Sequence, residues 1–188
     1  MKEIMISIKP EYVAKILNGQ KTIEIRKIKP SCELPCKVYI YCTKGKPYLY
    51  RLDDDNNFEL INKFKQQEDN FVKDYNDQNC KVIADFTLNR IDKLERDLND
   101  WLPKNRYDIS NELLKDMKLN QEQLWEYGQG KTLYAWHIDN LKIYDKPKEL
   151  SEFKHNVNDY SNGVVMYSLK KEPLKTPPRN YCYVETME

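Results

Sequence analysis

Gly19-Gln20-Lys21-Thr22-Ile23-Glu24-Ile25-Arg26 is the stretch on which the reading of this chain turns. Upstream, Pro10 suits the first turn of a helix, where its missing N–H costs nothing. Val13, Ile16 and Leu17 then fall at the i, i+3, i+4 spacing of one buried face. Asn18-Gly19 supplies the stop, because glycine readily takes the left-handed conformation that ends helices. A helix is therefore predicted over residues 10–18. Thr22 to Arg26 alternates with period two, which reads as a strand with Ile23 and Ile25 facing inward and Thr22, Glu24 and Arg26 sharing the other face. Lys21 sits at the turn between them, near the rim of the sheet that the strand joins. A cation, a carboxylate and a guanidinium in one short element can hold a ligand that both donates and accepts hydrogen bonds, such as a base edge with a phosphate. The plain alternative is an exposed Glu24–Arg26 pair beside a solvated Lys21, worth less than about 1 kcal/mol.

Working outward, Ile4 to Ile8 reads as an opening strand, and Lys37 to Cys42 and Lys81 to Leu88 as two more. Residues 43–79 form a polar, acidic insertion with enough apolar content to be partly ordered. Ser110 caps a short helix through Lys118, and Asn120 another through Tyr127, the second stopped by Gly128 and Gly130. Leu133 to Tyr144 is the longest strand candidate, and Tyr181 to Val184 closes the chain. About six strands and three short helices without strict alternation indicate an α+β domain on a small mixed barrel. Residues 1–188 read as one domain.

Composition narrows the function. The 188 residues are 40% hydrophobic and 32% charged, with a net charge of +1. A protein that coats nucleic acid without selectivity would be basic overall. The balance hides an asymmetry, however: residues 1–29 carry seven Lys and Arg against three acids, whereas residues 53–79 carry eight acids against three lysines. A local site for one phosphate or one nucleotide is thus allowed at the basic end. No run of about 18 apolar residues occurs, so no membrane span is expected. The opening residues lack a signal peptide's long apolar stretch, so a cytoplasmic location is expected. Cys32, Cys36, Cys42, Cys80 and Cys182 read as reduced thiols rather than a disulfide framework. Cys32, Cys36 and Cys42 with a histidine match no common zinc spacing, so no metal and no cofactor are expected. His137, between Trp136 and Ile138, reads as a structural histidine, and His155 as a solvated one. Trp101, Trp125 and Trp136 are aromatic enough to stack on a base but read more simply as core.

The order Gly19-x-Lys21-x-x-Glu24-x-Arg26 resembles, at every fixed position, the G-x-K-x-x-E-x-R signature of ASCH domains. Ile6 to Tyr12 resembles that family's opening strand and helix start. Tyr134 to Ile138, Tyr144 to Leu150, and Pro177-Pro178 through Tyr181 to Val184 resemble its later segments, while residues 43–79 have no counterpart. The resemblance implies a PUA-like β-barrel with a cleft beside the signature, and RNA or nucleotide binding. One branch of the family deacetylates N4-acetylcytidine with a lysine matching Lys21, a threonine where this chain has Glu24, and a later glutamate that aligns loosely with Lys115–Asp116. Two of those three positions depart, so that activity is not carried over.

The expected ligand-binding set is Gly19, Lys21, Thr22, Glu24 and Arg26, with Lys9, Arg179 and Tyr181 on the cleft walls. The expected partner is RNA, a nucleotide or a nucleoside. A hydrolase acting on a modified nucleoside or RNA would use Glu24 to activate water and Lys21 to stabilise an oxyanion. A third reading is an interaction module whose acidic insertion docks a protein partner.

Overall fold

The computed structural model describes residues 3–52, 57–61, 76–98, 105–158 and 169–186. Among them the chain is a mostly-sheet α+β fold with three α-helices and thirteen strands. Strands β1 (Glu3–Ile8) and β3 (Cys36–Cys42) pair in parallel at the centre of a seven-stranded sheet. It is completed by β7 (Val82–Leu88) and β10 (Asp139–Lys148) on one side, and by β13 (Tyr181–Thr186), β11 (Phe153–Asn158) and β12 (Leu169–Pro173) on the other. A second sheet runs β2 (Ile23–Arg26), β9 (Leu133–His137), β8 (Ile91–Leu94), all antiparallel. The insertion supplies a third from β4 (Tyr48–Arg51), β5 (Phe58–Ile61) and β6 (Asn76–Asp77). The sheets are open, and no closed barrel forms among the described residues.

Why β1 is almost unbroken apolar sequence follows from this layout. Its two faces supply two cores: Ile4, Ile6 and Ile8 pack with Val13 and Ile16 of helix α1 (Pro10–Leu17), while Met5 packs with Tyr39, Val82 and Phe153 on the reverse side. A third cluster joins Ile23 and Ile25 to Met117 of α2 (Asn111–Met117) and Leu124 of α3 (Gln121–Gly128). Asn18, just past α1, anchors the insertion: its side-chain amide donates to the Phe58 carbonyl and accepts from the Phe58 amide, both at 3.0 Å.

Two expectations change. The long strand from Leu133 to Tyr144 is two strands in different sheets. Chain direction breaks at Ile138, whose amide bonds the Thr22 carbonyl, and Asn140 takes φ +49°. The alternation slips by one residue here, from Tyr134, Trp136 and Ile138 to Leu141 and Ile143 across Asp139-Asn140, a mark that the reading as one long strand passes over. The count of about six strands was low because β4, β5, β6, β8, β11 and β12 are short or polar and lack the apolar alternation that marks a strand. Trp101, Asp53 to Asp55 and residues 62–75 of the insertion lie outside the described residues.

The stop of α1 is a full Schellman motif. Gly19 has φ +68°; its amide donates to the Ile16 carbonyl, and those of Gln20 and Lys21 both donate to Lys15. No atom lies within 4 Å of a Cβ built on Gly19, so only backbone strain opposes a side chain there. Gly19→Ala should therefore lower unfolding free energy by about 1–2 kcal/mol in urea titrations, and Gly19→Asn by less.

On the reverse core, Tyr39 donates to Glu3 at 2.8 Å and Tyr144 donates to Asp85 at 2.6 Å. Burial, and then these acceptors, pushes both phenols above their ordinary value of 10.0, and burial lifts Tyr41 to about 12. A phenol raised on folding contributes stability below pH 10.0, the unfolded value, and loses it as pH climbs toward the folded value. Urea midpoints should hold level up to that pH and fall above it, with a shallower fall in Tyr144→Phe.

Candidate functional site

Residues 21–26 occupy a position different from either reading of the sequence. All four residues of β2 are buried: Ile23 and Ile25 enter the third core cluster, while Glu24 and Arg26 lie under a cleft. Lys21 is not at a solvated rim. It is 2% exposed, and its ammonium donates to the carbonyls of Ile23 at 2.6 Å and Met117 at 2.9 Å. Met117 ends α2, where the last carbonyls have no intrahelical partner and a cation is favoured. The Thr22 amide takes the neighbouring Asp116 carbonyl at 3.0 Å. The signature segment thus holds the end of α2 in place.

Glu24 connects the two cations. Its Oε2 lies 3.5 Å from Lys21 Nζ and its Oε1 lies 3.4 Å from Arg26 Nε. Arg26 Nη2 donates to the Ser7 carbonyl at 2.8 Å, which joins β2 to the end of β1. Burial lowers the Lys21 pKa below its ordinary value, and the Glu24 carboxylate opposes that shift. Arg26 Nε and Ser7 Oγ are buried without a hydrogen bond.

Above this floor lies a cleft of about 400 Å³ between the end of β1, α1, β2, α3 and the approach to β13. Lys9, Lys21, Glu24, Arg26 and Arg179 line it. Gly19 and Thr22 act through the backbone and lie outside the lining. Tyr181 also lies outside, packed 6.0 Å from Trp136 and facing a neighbouring cavity. Sequence reasoning missed Tyr12, Lys27, Gln123, Tyr127 and Asn180, which complete the walls. Tyr127 carries Lys27 over its ring at 4.7 Å. The sequence pattern gives neither Gln123 nor Tyr127 a role, and the packing of α3 over β2 places both in the cleft. Five cations and one carboxylate line the cleft.

Other candidates find structural partners. Trp136 is fully buried, and His137 Nε2 lies 2.8 Å from Asp92. Lys115 and Asp116 are exposed on α2, so neither supplies the inward carboxylate that the deacetylase pattern requires. His155, expected in solvent, is half-buried. No group of three metal-ligating side chains occurs among the described residues. No described helix is long and apolar enough to cross a membrane.

No family model matches the chain, and no curated protein matches it in sequence. Solved structures do. A crystal structure of ASCH from Zymomonas mobilis superposes over 98% of this chain and 88% of its own, with TM-score 0.53 at 17% identity. The fold is ASCH-like. Two single-substitution variants of the same Zymomonas mobilis protein superpose over 98% of this chain with TM-score 0.51, at 17% and 18% identity and 91% and 89% of their own lengths. Within this ASCH-like fold, the signature residues form a floor that also joins β1, β2 and α2.

Lys21→Met should therefore act on stability before function. It leaves Glu24 with one cation and the end of α2 uncapped, at a cost of about 3 kcal/mol in chemical unfolding. Adding Glu24→Gln should recover part of that loss. Additive losses in the double variant would show that the two side chains are not coupled.

Proposed function

We propose that the cleft binds a nucleotide, free or as one unpaired nucleotide of RNA. The observation that supports this reading most is the lining: five cations against one carboxylate, in a space of about 400 Å³ with two tyrosine rings and two side-chain amides. That volume suits one small ligand and excludes a duplex. The positive excess favours an anion over a neutral nucleoside. Exposed Lys9 and Arg179 can reach a phosphate, and Lys27 can turn to one from the Tyr127 ring, whereas Lys21 is already committed to two carbonyls and Glu24. Tyr12 and Tyr127 offer ring faces for a base, and Gln123 and Asn180 offer both donor and acceptor to its edge. An acceptor oxygen beside Arg26 would complete the hydrogen bonding of Arg26 Nε and Ser7 Oγ.

Hydrolysis by Lys21 and Glu24 is less well supported. A general base needs a carboxylate free to take a proton from water, and both Glu24 oxygens are turned toward cations. The ASCH-like fold alone carries no activity.

Calorimetric titration with nucleosides and their monophosphates tests the proposal. Monophosphates should bind at least tenfold more tightly than nucleosides, and Arg179→Ala should weaken them about five- to tenfold. Equal affinity for both, or indifference to Arg179→Ala and Lys9→Ala alike, would remove the phosphate from the account.

A further inference from the structure

A second cavity of about 450 Å³ lies beside the cleft, lined by Ile28, His155, Asn156, Asn180, Tyr181, Cys182 and Tyr183. The two spaces are neighbours along the chain in two places. Lys27 faces the cleft and the next residue, Ile28, the second cavity; further on, Arg179 faces the cleft, Asn180 lines both, and Tyr181 faces the second cavity. The chemistry changes across this boundary. The cleft is cationic, whereas among the described residues the second cavity has no lysine, arginine or carboxylate and is bounded by two phenol rings, an imidazole and two amides.

Its aromatic wall is fixed before any ligand arrives. Tyr181 and Tyr183 stand two residues apart on β13 with ring centroids 5.8 Å apart, edge to face. The Tyr183 hydroxyl accepts from the Ser31 amide at 2.9 Å, and Tyr181 is braced by Trp136. A ring held at both ends loses little freedom when a flat ligand stacks on it.

We propose that this cavity seats the nucleobase next to the one in the cleft, so that the natural ligand is a single RNA strand rather than a lone nucleotide. The inference rests on the nucleotide reading of the cleft. A strand alternates anionic phosphates with neutral, flat bases. The boundary offers the matching sequence of cation, amide and aromatic ring: Lys27 and Arg179 meet the linking phosphate, Asn180 stands between, and Tyr183 and His155 flank the second base. Stacking tolerates any base, while the amides of Asn156 and Asn180 give it an edge to read.

The test measures binding of nucleoside monophosphates and of ribodinucleotides to the wild-type chain and to Tyr183→Ala, Tyr183→Phe and His155→Ala. Dinucleotides should bind about tenfold more tightly than monophosphates. Tyr183→Ala should abolish that gain and leave monophosphate affinity unchanged, while Tyr183→Phe, which keeps the ring, should retain most of it. His155→Ala, on a different strand, should reduce the gain and carries the test if Tyr183→Ala does not fold. Monophosphate binding with no dinucleotide gain, or a gain that survives both alanine variants, would overturn the second subsite and leave the cleft reading intact. Failure of every monophosphate to bind would overturn both.

Discussion

One carboxylate between two cations holds the centre of this molecule. Glu24 lies 3.5 Å from the Lys21 ammonium and 3.4 Å from the Arg26 guanidinium, all three less than a tenth exposed. Burying two cations is expensive unless each is paired and hydrogen-bonded. Here Lys21 is satisfied by carbonyls of β2 and of the end of α2, while Arg26 donates through Nη2 to a carbonyl of β1 and keeps Nε without a hydrogen bond. The polar triad therefore determines which elements meet. α2 is placed by Lys21, β1 by Arg26, and the cleft is the space left above them.

That arrangement separates two roles that one motif combines. Lys21, nearest in sequence to the helix stop, serves the fold. The rim cations Lys9 and Lys27, on either side of the signature, and Arg179, near the other end of the chain, are exposed. In this chain the signature builds the floor of the cleft, while the exposed cations stand on walls outside it. At 17% identity, likeness to the Zymomonas mobilis ASCH structure extends to the fold. The ligand has to be argued from the lining.

Much of this was legible where local rules operate alone. Gly19 had to end α1, because the left-handed turn follows from backbone sterics. Ile23 and Ile25 had to face a core, and the caps at Ser110 and Asn120 mark the starts of α2 and α3. What stayed hidden depends on tertiary packing. The direction of Lys21 is set by the carbonyls at the end of a helix ninety-six residues away. Gln123 and Tyr127 face the cleft only because α3 packs over β2. The break at Ile138 is marked only by a one-residue slip of the apolar alternation across Asp139-Asn140, and β11 and β12 carry too little apolar sequence to announce themselves. Barrel closure, which the described residues do not show, is not legible in pattern either, since it depends on strand stagger and edge pairing.

The measurement closest to the central claim is an amide chemical-shift titration of isotope-labelled protein with a nucleoside monophosphate. The account predicts shifts concentrated at residues 7–9, 24–27, 123–127 and 179–180, around the cleft that the Lys21–Glu24–Arg26 floor supports. Saturating ligand that leaves these amides unmoved, or shifts confined to the reverse face around Tyr39 and Tyr144, would contradict it.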